Sequence, residues 1–105
     1  MKDQATQAIQ RSHQARHALK NFEQTLIKLE HILNQLKLPH ACVAGELGSA
    51  TIYIKQHVIT VTIDDLFQGV NPKLKMRYYQ NLNGDLVDEK NLSLSAIQTL
   101  LLQIE

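Results

Sequence analysis

From residue 4 to residue 37 the chain has no glycine or proline and sets apolar or small residues at alternating spacings of three and four. Written as heptads, the a and d positions are Ala5, Ala8, Ser12, Ala15, Leu19, Phe22, Leu26, Leu29, Leu33 and Leu36, without a slip of register. Such a pattern predicts one long helix with a narrow apolar stripe, of the kind that packs along another helix. Its start is expected near Asp3 or Thr6 and its end before Pro39, because a residue preceding proline is pushed out of the helical region. At 1.5 Å per residue this is roughly 50 Å of helix, against about 30 Å for the diameter of a domain this long. Unless the helix breaks to give a compact monomer, one end is expected to project, and the polar N-terminal half with its alanine seam is the better candidate. In the C-terminal half, Ile27 and Ile32 widen the stripe into the face of a helix lying on a core.

After Pro39 the period changes to two. The segment His40 to Gly48 predicts a short first strand that ends in a turn between Gly45 and Gly48. Ala50, Ile52, Ile54, Ile59, Val61 and Ile63 fall on one face of a hairpin if the chain reverses about Gln56-His57, pairing Ile54 with Ile59 and Ile52 with Val61 through a loop at 55–58. The other face collects Thr51, Tyr53, Thr60 and Thr62. Asp64 is placed to cap a single helical turn over 64–68 that ends at Gly69. A fourth strand over 73–80 puts Leu74, Met76 and Tyr78 on one side and Lys73, Lys75, Arg77 and Tyr79 on the other. Asn83-Gly84 is a hairpin turn leading to a fifth strand over 85–88, and Ser93 or Ser95 caps a final helix striped by Leu94, Ile97, Leu101 and Ile104 with Leu100 beside them. The expected fold is α+β: a long N-terminal helix, a four- to five-stranded antiparallel meander and a short C-terminal helix, in the order α-β-β-β-(short α)-β-β-α.

Size and charge narrow this picture. At 105 residues and 11.9 kDa, one domain over 1–105 with one modest core is expected. A net charge of +1 supplies no global field for nucleic acid or an anionic membrane. The balance is uneven: residues 1–40 carry six Lys/Arg against three acids, so the positive excess belongs to the long helix. The single cysteine, Cys42, excludes an internal disulfide and a multi-cysteine zinc site. With no apolar run near membrane length and no apolar leader at the N-terminus, a cytoplasmic protein is expected.

The chemistry-bearing residues are sparse. His13 and His17 stand one helical turn apart with no third ligand or intervening glutamate, and together with His31 they read as a solvated helix face. Cys42 lies two residues from His40 without an orienting third group and is expected to be a small buried cysteine. Asp64 and Asp65 are explained by capping, and the acids near Asp85 lack the spacing of a calcium loop. No phosphate loop, dinucleotide fingerprint or nucleophile elbow occurs, so no catalytic residue, cofactor or metal is expected.

Three functional expectations follow. The first is a non-enzymatic protein-interaction module, of adaptor, small chaperone or regulator type, that forms a homodimer through Ala5, Ala8, Ser12, Ala15, Leu19, Phe22, Leu26 and Leu29 and binds a further protein partner. A parallel pair would set Arg11 beside Arg16 of its mate, an argument against that orientation. The second is a nucleic-acid-associated protein in which Arg11, Arg16 and Lys20 on the helix, and Lys73, Lys75 and Arg77 on a strand, contact phosphates while Tyr79 stacks on a base. The third is a small metal-dependent hydrolase using Asp64, Asp65 or His57. The order of elements is similar to that of small dimeric secretion chaperones, though the helix is longer here and the chain lacks strong acidity.

Overall fold

A computed structural model describes residues 3–66, 72–82 and 85–104. Helix α1 spans Gln4–Gln35. Its start is set by Asp3, whose carboxylate accepts from the Ala5 N–H at 3.0 Å and from the Thr6 hydroxyl at 2.9 Å. Its end comes earlier than Pro39 requires. Leu38 N–H donates to the Leu33 carbonyl at 3.0 Å, Lys37 N–H donates to that of Asn34 at 3.1 Å, and Lys37 takes a left-handed φ of 55°. This is the pattern that glycine usually closes, and the apolar contact that accompanies it is present, since Leu33 and Leu38 are both buried in the core.

Five strands follow: β1 (Ala41–Ala44), β2 (Ser49–Ile54), β3 (His57–Asp64), β4 (Lys73–Leu82) and β5 (Asp85–Asn91). They form one antiparallel sheet in the order β1-β2-β3-β4-β5, the expected meander. The faces of the central hairpin are as the alternation predicts, but its partners are not. Ile52 faces Ile59, Ile54 faces His57 and Ala50 faces Val61. The turn is the two residues Lys55 and Gln56, with Lys55 at φ 53°, rather than a loop at 55–58. A shift of two residues changes every partner yet keeps every side chain on its face, which is why hydrophobic alternation cannot detect it. Strand β5 runs three residues beyond the expected Asp88, after an irregularity in register at Tyr78/Gln80.

Of the helical turn expected over 64–68, residues 67 and 68 lie outside the described residues, as does the Asn83-Gly84 turn, while 64–66 are described. Asp64 itself is the last residue of β3, opposite Lys73, and Asp65 takes φ 61°, so Asp64 closes a strand. Helix α2 (Leu94–Leu101) is capped by Ser93, whose hydroxyl accepts from the Ala96 N–H at 3.2 Å.

Both helices lie on one face of the sheet. Leu29 and Leu33 of α1 and Ile97 and Leu101 of α2 pack onto Ile52, Ile54, Ile59, Val61, Met76 and Tyr78. The opposite face carries no helix among the described residues. The molecule measures 58 × 29 × 21 Å, with a radius of gyration of 16.0 Å against about 13 Å for a compact chain of this length. The long dimension belongs to α1, whose 32 residues span about 48 Å.

Candidate functional site

Along α1, burial separates two stripes that the heptad reading merges. The side turned toward the sheet runs through Gln14, Ala18, Phe22, Thr25, Leu29, Leu33 and Leu36, which keep the 3.6-residue period of the helix itself. The heptad seam has a period of 3.5 and drifts about 20° per heptad on a straight helix. The two share Phe22, Leu29, Leu33 and Leu36, with the seam aligned on the sheet at the buried Leu29 and Leu33. Three heptads earlier they have separated by about 60°. Thus Ala5, Ala8 and Ser12 are exposed and Ala15 and Leu19 half-buried, whereas Ala18, off the seam, is buried close to Pro72 and Leu74. Leu29 is 0% exposed, so of the eight expected interface residues it is already enclosed by its own sheet; Phe22 and Leu26 are half-buried against the same core. Ile9, one position beyond the seam, is 57% exposed. The Ser12 hydroxyl donates to the Ala8 carbonyl at 2.9 Å, which turns its polarity back into the helix and leaves a near-apolar surface.

The basic residues do not form one surface. Arg11, Arg16 and Lys20 are exposed on α1, on the helical side of the sheet. Lys73, Lys75, Arg77 and Tyr79 alternate with Leu74, Met76 and Tyr78 and so point to the other side. Lys75 Nζ lies 2.7 Å from Asp64 Oδ2, and Arg77 and Tyr79 are half-buried and already engaged by neighbours.

That helix-free face presents two cross-strand rows that run from β1 to β4. One is Ala41, Tyr53, Val58 and Tyr79, and the other Val43, Thr51, Thr60 and Arg77. Val43 and Tyr53 are 53% and 46% exposed. The contribution of β1 was not legible in the sequence, because its apolar composition reads as interior while its place at the sheet edge leaves all four residues exposed. Cys42 is therefore exposed, contrary to expectation. Partial desolvation, and secondarily the Glu30 carboxylate, hold its thiol above its usual range, the reverse of what an activated nucleophile needs.

One further concavity, of about 540 Å³, opens where the β2–β3 turn meets the end of α2. In it the Tyr78 hydroxyl and His57 Nδ1 are 2.5 Å apart, with the rings stacked at 5.7 Å. Burial, and secondarily Lys55, lower the His57 pKa, which favours a neutral imidazole that accepts from the phenol. Asp64 closes the same strand seven residues away, about 23 Å along β3, so the structure does not bring His57 together with Asp64 or Asp65. His13, His17 and His31 are exposed on α1, and no group of three metal-ligating side chains comes together among the described residues. No described helix is long and apolar enough to cross a membrane. Compared with known protein families, characterised proteins and solved structures, the chain matches none, so the similarity of element order to secretion chaperones carries no argument.

Proposed function

We propose that the protein is a non-enzymatic interaction module that pairs with a second copy through the N-terminal half of α1 and presents its helix-free sheet face to a protein partner. The observation that carries this reading is the divergence of the two stripes on α1. From residue 3 to residue 13 the helix is exposed at every position but Gln7, and its seam points away from the line of its own core. As the extension of a helix already nucleated on the sheet, this segment gains its backbone hydrogen bonds but buries no apolar area of its own, so its seam is left without a surface to pack against. A second copy of the same seam supplies it: Ala5, Ala8, Ser12 and Ala15 allow close approach, while Ile9 and Leu19 contribute apolar area.

The test is particle mass by light scattering at micromolar concentration. The native chain is expected at twice 11.9 kDa. The variant carrying Ala8→Asp and Ser12→Asp, both exposed and outside the core, is expected at 11.9 kDa with unchanged circular dichroism from the sheet. A native chain of monomeric mass removes the interface.

A further inference from the structure

The turn between α1 and β1 places His40 with each ring nitrogen against an acceptor. Nδ1 lies 2.8 Å from the Leu38 carbonyl oxygen, and Nε2 lies 2.8 Å from Glu30 Oε2. A neutral imidazole has one N–H, so it satisfies one of these acceptors and turns a lone pair toward the other. The imidazolium donates to both. The His40 side chain is only 11% exposed, which leaves water little room to replace either partner. The two acceptors come from the last turns of α1 and from the segment leading into β1, so the ring joins the helix to the edge strand.

We propose that His40 is a charged latch that fastens β1 to α1 through Glu30 and loosens as the imidazole gives up its proton. The proposal does not depend on self-association. Glu30 on α1 is the charge that acts on the ring among the described residues, and Cys42 on β1 is the other titratable group that senses Glu30. The bond to the Leu38 carbonyl, then that to Glu30, raise the His40 pKa above its ordinary 6.5, with partial desolvation opposing them. A group raised in the folded state contributes stability that is complete below its unfolded value and is lost as pH rises through the folded one. The latch is therefore closed at mildly acidic pH and opens on the alkaline side of 6.5. Strand β1 has few other ties. It is short, all four residues are exposed, and among the described residues its sheet pairing is to β2 alone.

Two measurements on the full chain test this. Ring nitrogen chemical shifts are expected to show His40 protonated at both nitrogens at pH 6.5, with a midpoint that falls in Glu30→Gln. Hydrogen exchange, corrected for its intrinsic pH dependence, is expected to show protection of the β1–β2 ladder falling about fivefold relative to the β3–β4 ladder between about pH 6 and about pH 8.5, a modest effect because Glu30 is partly exposed. In Glu30→Gln, which keeps the acceptor but removes the charge, that pH dependence is expected to flatten. A neutral His40 at pH 6.5, a midpoint unmoved by Glu30→Gln, or a constant ratio of protection across the range in the native chain overturns the proposal.

Discussion

At the scale of single residues, backbone conformation decides more than side-chain type. Gly48, in the β1–β2 turn, takes φ +76°, and its carbonyl accepts from the Ile63 N–H at 3.0 Å. A Cβ there would lie 3.1 Å from Ile63 Cδ1 and 3.3 Å from Leu66 Cδ2. Left-handed backbone and tight packing act in the same direction, so Gly48→Ala is expected to lower stability by about 1–2 kcal/mol in urea denaturation. Gly45→Ala is expected to cost less, because its new Cβ meets mainly the small Ser49 side chain and no left-handed backbone is involved. The turn was legible in the sequence as Gly45 to Gly48. The exposure of Cys42 was not, since alternation assigns a face but does not say whether a helix covers it.

At the scale of elements, the caps show how far local chemistry reaches. Asp3 and Ser93 lie at helix starts that the sequence marks, and each makes the bond its type predicts. The end of α1 carries no such mark. Lys37 stands where glycine is usual, with φ 55° and both characteristic bonds formed. Lys37→Gly is expected to relieve that conformation and raise stability by about 0.5–1 kcal/mol, read as a higher urea midpoint at unchanged slope. If stability falls instead, the left-handed backbone at Lys37 is not the cost it is taken to be. The β2–β3 hairpin offers the same lesson. Lys55 at φ 53° makes a two-residue turn from residues that do not advertise it. The strand faces were legible because burial has a period of two, and the register was not because a two-residue slip leaves that period untouched.

At the scale of the whole molecule, the sheet is a partition. Its helical side bears Arg11, Arg16 and Lys20, and its other side bears Lys73, Lys75 and Arg77, so no single straight duplex meets all six. If nucleic acid binds, the dependence of log affinity on log salt is expected to have a slope no steeper than about −3, matching one row of three, instead of about −5 for six acting together. A gel-shift series across salt reads this directly, and the steeper slope would show that the two rows act on one ligand. The 58 Å long axis gives the dimer reading its geometry, because the half of α1 least supported by the sheet is the half where the seam faces solvent.

The sequence by itself determined the α+β order, the long helix, the faces of the residues in β2, β3 and the first part of β4, and the outlines of the core, because these follow from periodicity and local hydrogen bonding within a few residues. The sequence also assigned the C-terminal half of the stripe to the protein's own core; only the tertiary structure divided the buried line from the seam, at Ala18. That division comes from the mismatch between a 3.5-residue repeat and a 3.6-residue helix, which is invisible until the helix is laid on its sheet. It also decided that β1 is an uncovered edge, that the basic rows stand back to back, and that His40 meets Glu30 across ten residues of chain. Each of these depends on which elements become neighbours, and that is a property of the packed molecule.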